Sequence, residues 1–285
     1  MLLIVGYVII LLASVGTYAV HGSLAALFVP LEYLAIVGLT IGGFVASNGN
    51  KAIKATLKAL PGVLKGSHLN KAVYMDLLAM LYEILAKVRK EGLMSVEGDI
   101  ENPESSAVFS KYPKIQHDHH VMEFICDYLR MMVGGNLNAF EIENLMDIEI
   151  ETHHQEAHLP AHVMSKVADA VPAFGIVVAV MGVVNVMGSV GAPPAVLGKM
   201  IGGALVGTFL GILIAYGFVS PVANLLEQKA QEGSKIYQVI KVVLLASMSG
   251  YAPQVAVEFG RKALAAGVRP TFRELEEELK ARKGK

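Results

Sequence analysis

Four long apolar blocks dominate the chain, at about Leu2–Ala19, Ala26–Ala46, Val171–Val190 and Met200–Val219. Each is close to the roughly 20 predominantly apolar residues that a helix needs to cross the hydrocarbon layer of a bilayer. Composition agrees: the chain is 54% hydrophobic and 17% charged, against about 45–50% and about 25% in a soluble domain. The expected fold is an all-α membrane protein with four transmembrane helices and a helical cytoplasmic domain.

On this reading residues 1–48 carry transmembrane helices 1 and 2, and 49–166 form a cytoplasmic helical domain. Residues 167–222 carry helices 3 and 4, and 223–285 form a cytoplasmic helical tail. The first block lacks the basic start of a cleaved secretion signal, and a second apolar block follows it closely, so it reads as a retained span. Orientation follows from the 24 Lys and Arg residues: none precedes Lys51, and apart from Lys199 all fall in Lys51–Lys166 or Lys229–Lys285. Basic residues flanking spans stay on the cytoplasmic side. Both soluble segments and both termini are therefore expected in the cytoplasm of a multi-pass inner-membrane protein.

The soluble segments carry helical patterns and no competing strand pattern. Tyr74–Lys90 places Met75, Leu78, Met80, Leu81 and Leu85 largely at three- and four-residue spacing. Phe140–Thr152 is acidic and amphipathic, with Leu145 and Ile148 expected in its apolar stripe. Thr271 and Glu274, three apart at the head of a charged helix over 271–282, form a capping-box signature.

The apolar blocks are not uniform. Gly38 and Gly42 in the second, and Gly203, Gly207 and Gly211 in the fourth, recur every four residues. That spacing lays small residues on one helix face and lets another backbone approach, within one subunit or between subunits. Intramembrane carboxylates usually mark ion paths, yet none sits at mid-span: Asp169 lies at the inner end of the third block and Glu32 near the outer end of the second. If this chain conducts ions, another chain must supply the carboxylate. Thr208 lies midway along the fourth block with Tyr216 two turns further; a threonine hydroxyl either bonds back to its own helix or lines a hydrated path. Pro172 and Pro221 stand at the cytoplasmic ends of blocks three and four, as helix punctuation or as hinges.

Several functions are disfavoured. The single Cys126 permits no intrachain disulfide. No basic patch with interleaved aromatics points to nucleic acid. No nucleophile elbow, phosphate loop or full metal signature points to an enzyme, and no cofactor is expected. Two histidine groups occur: His117, His119 and His120 around Asp118, and His153, His154, His158 and His162 interrupted by Pro160. Imidazole suits transition metals and titrates near neutrality, but neither group forms a recognisable metal site. Both are read as polar surface, with no metal.

Two stretches carry a family resemblance. DAVPAFGIVVAVMGVV at 169–184 resembles the third transmembrane helix of MotA stator subunits, and VGTFLGILIAYGFVSP at 206–221 resembles the fourth. NKAIK at 50–54, GDIENP at 98–103, FEIE at 140–143, GYAP at 250–253 and VEFGRK at 257–262 extend the likeness over nearly the whole chain. The resemblance implies a ring, described as a pentamer, around a MotB-type partner whose single helix carries the ion-binding aspartate. Ion flow then turns the ring, which drives the rotor protein FliG of a flagellar motor.

Carried over by position, Arg89, Lys90 and Glu97 in RKEGLMSVE resemble the charged residues that engage the rotor. Pro172 and Pro221 match prolines tied to coupling ion flow to movement. Thr208 matches a threonine on the ion path, and Tyr216 a tyrosine of the same helix. Ala179 stands where sodium-driven relatives usually carry threonine, and alanine offers no oxygen to a dehydrated cation, so a proton motor is expected. The alternative is an ExbB/TolQ-like energiser of outer-membrane processes, although those relatives resemble mainly the last two spans and usually cross three times.

Overall fold

The computed structural model describes residues 2–66, 69–135 and 137–283, and every regular element among them is helical. The chain divides into two compact units: Met1–Gly66 with His158–Lys229, and Ser67–Ala157 with Ala230–Lys285.

Four helices are long and apolar enough to cross a membrane: Leu2–Val20, Leu24–Ser47, Ala139–Met187 and Pro194–Met248. The last two run unbroken for 49 and 55 residues, more than twice what one crossing takes. Pro160, Pro172 and Pro221 do not end them. Pro160 and Pro172 both lie inside the single helix Ala139–Met187. Pro221 lies in an uninterrupted run, just after a π-helical stretch at Leu213–Val219 and inside Ser220–Met248. Proline removes one N–H and crowds the carbonyl four residues back, which bends a helix. Neighbouring helices and local π geometry can satisfy the freed groups, so a membrane helix continues through it. A second π-helical stretch, Leu12–Gly16, interrupts the first span.

The third and fourth spans meet backbone to backbone. A Cβ added at Gly175 would stand 2.8 Å from the Gly207 carbonyl oxygen and 2.9 Å from Gly211 Cα. One at Gly211 would stand 2.8 Å from Gly175 Cα, and one at Gly182 would stand 2.7 Å from Ala204 Cβ. The fourth-span stripe is therefore used in part: Gly207 and Gly211 enter the seam, while Gly203 has only Val29 at 3.7 Å. Gly38 and Gly42 face open space within the chain, and the second span instead sets Gly43 against Phe174, 3.1 Å from its would-be Cβ. Ile36 is the one buried residue of Pro30–Ser47, and Leu2–Leu11 has none. Exposed side chains such as Leu2, Ile9, Leu12 and Leu34 make an apolar surface that a bilayer or partner chains must cover.

The other unit packs around one large apolar core, as soluble helical domains do. Helix Lys71–Glu91 starts on an Asn70 side chain that accepts from the Ala72 and Val73 N–H groups, satisfying two of its free donors. It buries Leu77, Leu78, Leu81, Ile84 and Leu85 against Phe124, Ile125 and Leu129 of helix His119–Gly134 and against Val239, Ile240 and Val243. Gly260 of helix Pro253–Ala263 lets this layer close up: its would-be Cβ lies 2.5 Å from Val243 and 2.9 Å from Leu78 side-chain carbons.

The capping box is present: Thr271 N–H donates to Glu274 Oε2 at 2.6 Å, and Glu274 N–H donates to Thr271 Oγ1 at 3.3 Å. The stripe expected at Leu145 and Ile148 is not. Both are exposed, and Ile142, Met146 and Ile150, four residues apart, face the core. Apolar residues occur on two faces of this segment, so periodicity alone does not choose between them.

Candidate functional site

Within the membrane-type unit, the seam gathers two of the sequence-picked residues. Ala179 is buried, and its backbone nitrogen lies 3.3 Å from the would-be Cβ of Gly207. Thr208 follows Gly207 and is half-buried, so both residues lie at one level of the seam. Pro172 is half-buried at the same seam's other end, next to Val171, whose carbonyl oxygen stands 3.2 Å from the would-be Cβ of Gly211. Tyr216 is not brought to this group. It is 62% exposed within the chain and lies in the π-helical stretch, five residues before half-buried Pro221.

Charge is nearly absent here. Between Asp169 and Glu227 the only charged side chain is Lys199. Asp169 is exposed, and Glu32 sits in the first turn of Pro30–Ser47. This arrangement supplies small residues, a hydroxyl and a close helix pair, with no titratable group of its own at mid-span. An ion crossing here needs a carboxylate from elsewhere.

In the soluble-type unit, the charged trio lies on one connected segment. Arg89 and Lys90 end helix Lys71–Glu91, where cations suit the negative end of the helix dipole. Gly92, at φ 88°, turns the chain in a conformation that favours glycine. Glu97 then opens the short helix Glu97–Glu101, where an anion suits the positive end. All three side chains are exposed, as are Leu93 and Met94 between them. Arg89 Nη1 donates to the Gly250 carbonyl at 3.4 Å, and Lys90 lies 3.9 Å from Glu91. Buried Asp99 braces the segment from below, accepting from Lys87 Nζ at 2.7 Å and from Ser106 Oγ at 2.6 Å.

Other polar groups are structural. Burial pushes the Cys126 thiol up to about 11, so it is not a poised thiolate. Burial and the Glu83 carboxylate beside it hold the Tyr112 phenol well above its ordinary range, with Tyr112 Oη donating to Glu83 at 2.7 Å. The histidine groups differ from each other. His117, His119 and His120 are exposed, whereas His153 and His154 are half-buried on a continuous helix. His153 stacks 4.5 Å from the Tyr237 ring, and burial followed by the nearby His120 lowers its pKa. His154 Nδ1 lies 3.0 Å from Ser234 Oγ.

Sequence reasoning missed Gly175 and Gly182, seven residues apart and so outside a four-residue search, and the Lys87–Asp99–Ser106 network. It also missed Tyr7, whose hydroxyl donates to the Phe218 carbonyl at 2.7 Å. An isolated tyrosine in an apolar span is the available signal for that contact.

Residues 116–239 match the profile of the MotA/TolQ/ExbB proton channel family, and residues 4–92 match that of the motility protein A N-terminal region. The class is thus a proton-channel subunit. The chain is 53% identical to Motility protein A of Escherichia coli over 99% of its length and 96% of that relative. It is 32% identical to chemotaxis protein LafT of Vibrio parahaemolyticus over 98% of both. Among solved structures, the flagellar MotAB stator complex of Bacillus subtilis aligns with a TM-score of 0.73 at 26% identity, covering 96% of this chain and 98% of that one. MotAB of C. jejuni aligns with a TM-score of 0.76 at 22% identity, covering 95% and 98%, a likeness of fold. The chain belongs to the motility protein A family.

Proposed function

We propose how this family member performs the family's work, coupling proton flow across the membrane to torque on a flagellar rotor. The observation that carries the reading is a close-packed pair of spans, third and fourth, that holds a hydroxyl and small residues but no mid-span carboxylate. A MotB-type partner helix supplies the ion-binding aspartate. Copies of this chain, five in the family's arrangement, surround that partner in the inner membrane, with both termini cytoplasmic and lipid on the outer faces of the first two spans. Thr208, Ala179 and Tyr216 belong to the ion pathway, and Pro172 and Pro221 couple ion passage to movement. Arg89, Lys90 and Glu97 meet charged groups of the rotor protein FliG. The exposed setting of these three and the dipole-matched ends that hold them support this role. No covalent chemistry is catalysed.

The deciding experiment is rescue of a stator-deletion strain by this chain with its partner while proton and sodium gradients are varied separately. Swimming that follows the proton gradient and ignores sodium is expected. Swimming that follows sodium would overturn the assignment from Ala179. No rescue with both proteins in the membrane would favour the ExbB/TolQ-like alternative.

A further inference from the structure

The first span is tied to the fourth at one specific place. Tyr7 Oη donates to the Phe218 carbonyl at 2.7 Å across 211 residues of sequence. Their rings pack with centroids 4.9 Å apart. One turn further along, Ile10 Cγ2 lies 3.2 Å from the would-be Cβ of Gly217. Two other hydroxyls of this span turn inward to their own helix: Ser14 donates to the Ile10 carbonyl at 2.6 Å and Thr17 to the Ala13 carbonyl at 2.6 Å. Tyr7 alone of these three reaches another element.

The place it reaches is unusual. Phe218 belongs to the π-helical stretch Leu213–Val219, which also holds Tyr216 and ends two residues before Pro221. A π segment holds one more residue than the α register allows, and Pro221 withholds its N–H from the carbonyl of Gly217 or Tyr216, one or two residues before Phe218. In hydrocarbon, neighbouring side chains are one source of donors for such a disturbed ladder. Tyr7 supplies a donor inside it, at the Phe218 carbonyl.

We propose that Tyr7 is a positioning residue for ion coupling. Its hydroxyl holds the π register of Leu213–Val219 and thereby sets the facing of Tyr216 and the helix entering Pro221. Collapse of that stretch to α geometry would turn one side of the fourth span against the other by about 100°, the angle of one residue at 3.6 per turn. The proposal rests on the reading that the fourth span serves the ion path.

The test is single-motor rotation at low load in a stator-deletion strain that expresses the partner with wild-type chain or with Tyr7→Phe. The speed step is recorded as each stator unit joins the motor, and membrane levels are measured alongside. Tyr7→Phe keeps the ring and loses only the donor. The expected result is an unchanged membrane level with a speed step about five-fold smaller, the scale of one lost hydrogen bond. Tyr7→Leu, which also removes the ring, should give a step no larger than that of Tyr7→Phe. An unchanged step for Tyr7→Phe, or loss of the variant from the membrane with normal steps from the remainder, would overturn the proposal and leave Tyr7 an anchor only. Failure of the wild-type chain to restore rotation would be failure of the stator reading itself, and it would appear before any variant is compared.

Discussion

The two units are held together by opposite means. The soluble-type unit buries large side chains such as Leu77, Phe124, Leu129 and Val243 in one core and rims it with ion pairs, among them Lys87–Asp99 and Lys111–Glu83, each at 2.7 Å. The membrane-type unit has smaller core clusters, and its third and fourth spans meet glycine against glycine. In water, burial of apolar area drives packing. In hydrocarbon, lipid is as apolar as leucine, so helices associate through close van der Waals approach and occasional hydrogen bonds. The first unit should therefore be most sensitive to lost volume, and the second to added volume.

The largest expected effect tests the first half of that contrast. Leu129→Ala should destabilise the soluble-type unit by about 2–5 kcal/mol, the range for truncating a buried leucine. It is checked by amide exchange in helix His119–Gly134 of the full chain in detergent, where protection should fall while that of the third span holds. Next, Gly175→Ala should cost about 1–3 kcal/mol as overpacking, read as loss of thermal resistance and of motility. Gly38→Ala, a like change into open space, should change neither. Equal tolerance at both positions would break the comparison.

A charge test is smaller and confined to torque. Glu97→Lys should reduce motor torque without lowering membrane level, and reversal of an acidic or basic partner group on the rotor should restore part of it. Smaller again is a pH effect. Burial, and then the nearby His120, lowers the His153 pKa below its ordinary value, against the opposing pull of Glu156, Asp118 and Glu149. A lowered folded-state pKa stabilises above the unfolded value of about 6.5 and is lost as pH falls through the folded value. The soluble-type unit should thus melt lower at pH 5.5 than at pH 7.5, and His153→Leu should shrink the difference. The smallest effect is at the tail. The Lys71 ammonium, helped by the Thr271 cap, holds the Glu274 carboxyl at about 2. Its contribution is present above the usual carboxylate range and disappears as pH falls toward 2. Glu274→Gln should loosen amide protection only within Phe272–Lys283.

Features set by local chemistry were legible in the sequence. Four spans followed from apolar length, and the Thr271–Glu274 cap followed from two residues three apart. Features set by choice of neighbour were not. Ile142, Met146 and Ile150 cannot be told from Leu145 and Ile148 by pattern, because either face of that helix is apolar enough to bury. Gly38 and Gly42 have the spacing of a packing face that no helix of this chain occupies, while Gly175 packs tightly with no second glycine four residues away. Pro160, Pro172 and Pro221 looked like boundaries because proline bends helices, yet whether a bent helix continues depends on what satisfies its freed carbonyls. For the candidate site, a threonine or an exposed arginine has several ordinary roles. Arg89 stands out only through resemblance to a family, and the same resemblance is what chooses between the two roles open to Thr208.

The seam between Gly175 and Gly211 also bears on how such a gene can drift. Every missense change from a glycine codon introduces a side-chain carbon, and at these two positions that carbon meets backbone rather than a movable side chain. Neutral variation there is confined to synonymous bases. In a saturation library selected for swimming, codons 175 and 211 should return glycine almost alone, whereas codons 38 and 42 should return a spread of small residues.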